Sequence, residues 1–124
     1  MKKEILKLLI VGVGSIGSRH FQAAYNTNFK KEIHIVDKKE VLYKLKKKNN
    51  FHKKKIFIHT NFKTLPSKID LAIISTNSDV RFKITNELIN KIKIKFIIFE
   101  KFLFQQKSHY KFIINKLKEK KIKS

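Results

Sequence analysis

The sequence predicts an α/β fold built on a doubly wound parallel sheet, and three observations predict it. Short apolar runs alternate along the chain with segments whose apolar residues recur at helical spacing. The first run, Leu8-Leu9-Ile10-Val11, leads directly into Gly12-x-Gly14-x-x-Gly17, and these are the only three glycines in 124 residues. The second run, Glu32-Ile33-His34-Ile35-Val36, ends in Asp37, twenty residues beyond Gly17.

Each glycine has a physical task in a strand that turns tightly into a helix. Gly12 permits the bend, Gly14 lets the backbone approach a pyrophosphate, and Gly17 lets the helix pack close to the strand. Gly12, Gly14, Ser15 and Ile16 would hold the pyrophosphate on free N–H groups at the positive end of the helix dipole. Asp37 stands where a carboxylate accepts a hydrogen bond from a ribose 2′-hydroxyl, which favours NAD. Lys38 and Lys39 beside it are the feature that would suit the 2′-phosphate of NADP. The whole pattern is the dinucleotide fingerprint of a Rossmann fold. A glycine turn that binds nothing is the bland alternative. A methyl-donor site is another, and the third glycine at the helix start suits a pyrophosphate better.

The elements follow in order. Residues 15–27 form the first helix, residues 32–37 the second strand, and Val41, Leu42 and Leu45 mark a short second helix. Lys44 to Lys55 is the most biased stretch, read as the solvated end of that helix and its loop, with a phosphate-binding patch as the functional alternative. Ile56-Phe57-Ile58-His59 is a third strand, and Leu65-Pro66-Ser67 turns into a fourth, Ile69 to Ser75, apolar enough for a central parallel strand. Thr76-Asn77-Ser78-Asp79 are small polar residues that can cap the next helix while facing the crevice. Val80, Ile84 and Leu88 place a core-facing helix over residues 79–91. Lys95 to Phe99 is a fifth strand, and Glu100 and Lys101 leave it at the same sheet edge as the glycine turn. Tyr110, Ile113, Ile114 and Leu117 give a final helix within residues 107–123. The strand order expected is 3-2-1-4-5.

Length bounds this to one domain, residues 1–124. Cysteine is absent, which excludes disulfides, thiolate metal sites and cysteine nucleophiles and is compatible with a cytoplasmic location. The five histidines show no metal-binding spacing, so no metal is expected. The net charge of +21 suggests nucleic acid, but only Arg19 and Arg81 are arginine, leaving 28 lysines. Together with abundant Ile, Asn and Phe, that bias follows A/T-rich codons rather than a nucleic-acid surface, which would favour the planar arginine fork. No specific nucleic-acid partner is expected. Met1-Lys2-Lys3 and the apolar run after it are interrupted by Glu4, Lys7 and the glycines, unlike a signal peptide, and no run approaches a membrane span.

On these residues the chain resembles the N-terminal half of the glucose-fructose oxidoreductase/inositol dehydrogenase/MocA family. Gly12 to His20 is similar to that family's nucleotide fingerprint, and Asp37 sits where its ribose-binding acid sits. Ile73-Ile74-Ser75-Thr76-Asn77 resembles its fourth-strand segment, and Phe99-Glu100-Lys101 resembles its Glu-Lys-Pro motif. The resemblance implies that Thr76 and Asn77 form the crevice wall and that Glu100 and Lys101 lie at the nicotinamide end, with Lys101 the candidate catalytic donor. It departs at Phe102, which replaces the proline that aims the lysine, and at Arg81, where histidine is common. Family members continue into a substrate domain, and the resemblance implies that residues 1–124 correspond to the dinucleotide-binding half without it.

The first expectation is therefore an NAD(P)-binding domain of an oxidoreductase acting on a sugar or polyol, completed by a separately encoded substrate domain and inactive alone. The alternative is a non-catalytic nucleotide-binding or interaction module, or a truncated remnant. The fifth strand is expected to be a bare sheet edge that favours self-association. If the lysines are compositional, DNA binding in a filter or anisotropy assay will be weak, non-specific and steeply lost with salt. Sequence-selective binding that survives about 0.2 M salt contradicts this.

Overall fold

The computed structural model describes residues 4–48, 55–101 and 104–124; the expectations placed on Met1 to Lys3, on residues 49–54 of the lysine-rich stretch and on Phe102 lie outside the described residues. The elements run β1 (Leu6–Val11), α1 (Ser15–Tyr25), β2 (Lys31–Val36), α2 (Lys39–Lys48), β3 (Ile56–His59), β4 (Lys68–Ile74), α3 (Ser78–Lys91), β5 (Lys93–Phe99) and α4 (Lys107–Glu119). The strands form one parallel sheet in the order β3-β2-β1-β4-β5. The doubly wound Rossmann arrangement read from the sequence is the observed one.

The central strand is buried on both faces, which is why its sequence shows no polar alternation. Leu9 and Ile10 are both fully buried but point into different cores. On one face Leu8, Ile10, Ile33 and Ile35 pack against Phe21 of α1 and Leu42 and Leu45 of α2. On the other, Leu9, Val11, Ala72, Ile74 and Ile97 pack against Leu88 and Ile89 of α3 and Ile113 and Leu117 of α4. Each of the Leu, Ile, Val and Phe side chains contributes about 1.5–3 kcal/mol by leaving water. The two half-cores hold the strand exits, where the glycine turn sits, in fixed positions.

Three expectations are corrected. The buried face of α3 is Arg81, Thr85, Leu88 and Ile89, whereas Val80 is 43% exposed. A stripe read from apolar residues alone is turned relative to this face, because the guanidinium of Arg81 finds main-chain acceptors inside. In α4, Ile114 is 48% exposed, and the helix ends at Glu119 so that Ile122 can fold back into the core. The outer edge of β5 is not bare. Lys123 pairs in parallel with Phe96, with Ile97 N donating to Lys123 O (2.8 Å) and Lys123 N to Lys95 O (3.1 Å). The middle of the strand is thereby closed to pairing with another copy, and the basis for self-association shrinks to its ends.

β2 and β3 bury a polar chain on the edge of the sheet. His34 Nδ1 lies 3.0 Å from His59 Nε2, His34 Nε2 lies 3.2 Å from the Glu32 carboxylate, and His59 Nδ1 lies 2.6 Å from Thr64 Oγ1. With both rings neutral, one direction of donation satisfies every atom: Thr64 O–H to His59, His59 N–H to His34, His34 N–H to Glu32. Burial pushes both histidines below their ordinary value; for His34 the hydrogen bond to Glu32 opposes the shift, and for His59 the neighbouring His34 adds to it. The unfolded chain thus takes up protons more readily, and the stabilisation present at neutral pH is lost as pH falls through about 6.5. Urea midpoints measured between pH 8 and pH 5 should fall over that range, and a double His34→Gln, His59→Gln variant should flatten the fall; an unchanged slope in the variant contradicts the assignment.

Candidate functional site

The glycine turn is shaped by contacts that leave no room for side chains. Gly12 has φ +89°, a left-handed conformation that other residues rarely adopt, and its N–H donates to Val36 O at 2.9 Å. A Cβ added there would lie 2.8 Å from Thr76 N and 3.0 Å from the Ser75 carbonyl carbon. A Cβ on Gly17 would overlap the carbonyl of Gly12 and come within 2.9 Å of Ser75 Oγ. Ser75 closes the arrangement: its hydroxyl donates to Gly12 O at 2.6 Å and its N–H to Val11 O at 2.9 Å. Ser75 is a site residue to which the glycine pattern alone does not point. Its signal was its place at the end of the strand that pairs with β1.

Gly14 differs from the other two. It is exposed, and a Cβ there would meet nothing within 4 Å. Gly14 is the N-cap of α1 and no side chain caps the helix, so the N–H groups of Ser15, Ile16 and Gly17 precede the first intrahelical bond, Ser18 N to Gly14 O at 2.9 Å. These groups carry the positive end of the helix dipole. Ile16 extends outward, 52% exposed.

A cleft of about 590 Å³ opens beside this turn, and among its lining residues are Gly12, Gly14, Asp37, Ser75, Thr76 and Asn77. Its volume is in the range of small-molecule and cofactor sites. Thr60, Asn61 and Phe62, which follow β3, close one end, and Val80 and Ile84 of α3 line another part of the wall. Those five were not read as site residues. Val80, expected in the core, is exposed at the cleft, whereas Ile84 packs against the core as expected and also lines the cleft.

Asp37 braces the turn as well as facing the cleft. One carboxylate oxygen accepts from Val13 N at 2.8 Å and the other from Lys38 N at 2.7 Å. Asn77 is the N-cap residue of α3 but makes no side-chain capping bond, contrary to the capping expected of this segment. Thr76 Oγ1 is buried with no hydrogen-bond partner among the described residues. A buried hydroxyl without a partner is costly, and a ligand in the cleft is a natural source of one.

Glu100 and Lys101 stand at the exit of β5, away from the wall of this cleft. The Glu100 carboxylate is paired with His20 Nε2 of α1, and that hydrogen bond holds the carboxyl below its usual value. Lys101 is exposed. Between them and Thr76 lies Arg81, 4% exposed. Its Nη1 donates to the carbonyls of Glu100 (2.9 Å) and Lys101 (3.1 Å), and its Nη2 to the carbonyl of Thr76. The structure thus gathers Gly12, Gly14, Asp37, Thr76 and Asn77 around one cleft, sets Ser15, Ile16 and Gly17 in the helix that starts beside it, and puts Glu100 and Lys101 behind Arg81.

The model of the oxidoreductase family described as having an NAD-binding Rossmann fold, GFO_IDH_MocA, matches residues 6–122. No curated protein matches the sequence significantly. Among solved structures, the chain is similar to the WlbA dehydrogenase of Chromobacterium violaceum, solved with NADH and UDP-GlcNAcA, at 15% identity and TM-score 0.77, covering 98% of this chain and 34% of that one. Myo-inositol 2-dehydrogenase from Lactobacillus plantarum is 19% identical with TM-score 0.71, covering 98% of this chain and 36% of that one. A super-repressor mutant of Gal80p from Saccharomyces cerevisiae is 14% identical with TM-score 0.78, covering 96% and 33%. At these identities the likeness shows the fold, and the chain spans about a third of the length of the structures it matches.

The spacing of the turn gives a stability test. Gly17→Ala forces a methyl group into the Gly12 carbonyl and should cost about 1–3 kcal/mol or more, the range of overpacked sites. Gly14→Ala meets open space and should cost less than about 1 kcal/mol. Equal losses in thermal or urea unfolding contradict this geometry.

Proposed function

The chain belongs to the GFO_IDH_MocA oxidoreductase family through its NAD-binding Rossmann domain, and from that premise we propose how the site holds the dinucleotide and what the domain serves. The pyrophosphate lies over Gly14 on the N–H groups of Ser15 and Ile16. The adenosine ribose meets Asp37, with Thr60, Asn61 and Phe62 as the wall beyond it. The nicotinamide half runs past Thr76 and Asn77 toward Glu100 and Lys101. The observation that carries this reading is the contrast among the glycines: two have no space for a side chain, whereas Gly14 faces an open cleft at an uncapped helix end. The unpartnered Thr76 hydroxyl supports it.

Bound there, NAD supplies a hydride acceptor at its nicotinamide ring. What this chain contributes is binding and orientation: an anion cradle at α1, a ribose acceptor at Asp37, and a wall that excludes water from one side. Hydride transfer to or from a sugar or polyol carbon also needs a substrate held in near-attack geometry and a base near its hydroxyl. Lys101 is the only candidate donor we assign at the cofactor edge, and we assign the remaining groups to a substrate domain on another polypeptide or segment. The fold leaves a surface for it. The connection from β3 to β4 carries no helix, and one sheet face exposes Leu6, Phe29, Phe96 and Ile98 around a groove of about 490 Å³. Lys95 and Lys123 line the same groove along with Asp70, whose carboxylate already accepts from Lys7 N, so the polypeptide fitting it has an apolar face bordered by carboxylates.

A second reading, a non-catalytic nucleotide-responsive module, is favoured by the occurrence of this fold in the repressor Gal80p. Assaying the domain with NAD, polyols and sugar nucleotides, alone and with the protein encoded next to it, separates the two. Turnover in the mixture supports the oxidoreductase, and dinucleotide binding without turnover in either supports the module.

Calorimetric titration should give a micromolar to millimolar dissociation constant for NAD. Gly14→Val should weaken it at least about tenfold while keeping the fold, because the added side chain occupies the space assigned to the pyrophosphate. Unchanged affinity contradicts the site. NADP is the weaker ligand on this account, since the Asp37 carboxylate repels a 2′-phosphate; tighter NADP binding that Asp37→Ala leaves unaltered reverses the choice.

A further inference from the structure

Arg81 is the one charged side chain among the described residues that is almost wholly buried, and its partners include three main-chain carbonyls. They come from two strand exits: Thr76 follows β4, and Glu100 and Lys101 follow β5. Without the guanidinium these part-buried carbonyls would lose the donor that pairs them, and folded chains rarely leave such groups unpaired. A fork of planar donors is suited to reaching several carbonyls at once, which a lysine ammonium on a flexible stem is not. The residue after Lys101 is Phe102, so no proline ring restricts the Lys101 backbone. The order of this segment has to come from elsewhere.

We propose that Arg81 is the positioning residue for the nicotinamide end of the site: its guanidinium ties the β4 exit to the β5 exit, and so sets where Thr76, Glu100 and Lys101 stand. The proposal rests on the dinucleotide reading above and deepens it. Two consequences of the geometry support it. Thr76 has its carbonyl held by Arg81 while its hydroxyl is buried and unpartnered, so the same clamp presents that hydroxyl for a ligand. Glu100 has its carbonyl held by Arg81 while its carboxylate reaches back to His20, so the clamp also sets the bridge between β5 and α1, the helix whose N-terminus is the anion cradle. Burial draws the Arg81 guanidinium below its ordinary value, and the nearby Glu100 and Tyr110 oppose that shift and keep the cation favoured. Among the described residues, Asp37 and residues 60–62 take part in none of these bonds. The clamp therefore acts on one half of the dinucleotide.

That asymmetry is the test. ADP-ribose shares the adenosine, pyrophosphate and second ribose of NAD and lacks the nicotinamide ring. Arg81→Met, which fills the space without donating, should weaken NAD binding about tenfold and ADP-ribose binding less than about threefold, measured by calorimetry on the full chain. Equal weakening of both, or no weakening of either, overturns the proposal. Arg81→Lys keeps the charge and loses the fork, and it covers the case in which the methionine variant does not fold. In it the Glu100 carboxyl, followed by carbon NMR without any ligand, should titrate closer to its ordinary value as the His20 pairing loosens. An unmoved Glu100 titration in Arg81→Lys overturns the clamp on its own. Failure of the wild-type chain to bind either ligand overturns the dinucleotide reading instead, and the Glu100 titration still decides whether Arg81 sets the β5 exit.

Discussion

Everything at the functional end of this molecule depends on three backbone segments meeting with no side chain between them. The carbonyl of Gly12 lies where a Cβ on Gly17 would be, and the main chain of Ser75 and Thr76 lies where a Cβ on Gly12 would be. The end of β1, the start of α1 and the end of β4 are therefore in direct contact. Ser75 adds its hydroxyl bond to Gly12, and Asp37 ties β2 to the turn through Val13 N. The half-cores above and below the sheet supply the force that brings the strands together, and the glycines decide how close their ends come. An uncapped helix N-terminus beside a cleft is the result. It is a suitable place for an anion because the backbone itself provides the donors and their dipole.

The parts of this arrangement visible in the sequence were those governed by a single local rule. Three glycines at fixed spacing after an apolar strand, and an acid at the end of the next strand, are local and gave the turn, the helix and Asp37. The strand order followed because βαβ connections admit few topologies. What stayed hidden depends on which way a side chain is turned by groups distant in sequence. Val80 shares a helical stripe with Ile84 and Leu88, yet α3 is rotated so that Arg81 and Thr85 go inside and Val80 is left exposed. An apolar-periodicity reading cannot anticipate that, because three carbonyls that accept from Arg81 lie nineteen, twenty and five residues away. In the same way, Thr60, Asn61 and Phe62 enter the cleft only because β3 lies beside β2. Lys123 closes the edge of β5 through main-chain bonds that any residue type would make.

The charge of the chain is a separate matter from its site. Lysines are spread over the exposed surface, and several lie along aromatic rings, such as Lys47 over Tyr43 and Lys123 over Phe96 at 5.0 and 5.7 Å. Such pairs contribute little each at exposed positions. Among the described residues the buried charge is a single arginine whose Nη groups meet main-chain carbonyls, and the acidic residues Asp37, Asp79 and Glu87 line the cleft. The chemistry read here comes from those few groups, with the basic surface as background that raises the encounter rate with any anionic ligand.

The central claim is that the dinucleotide lies across the glycine turn with its pyrophosphate on the N-terminus of α1. The most direct measurement is an amide chemical-shift titration of the labelled chain with NAD. The account predicts the largest shifts at the N–H groups of Gly14, Ser15 and Ile16, with a second group at Asp37 and residues 60–62. Saturable shifts confined to the apolar groove around Phe96 and Ile98, or to the lysine-rich surface of α2, would contradict it.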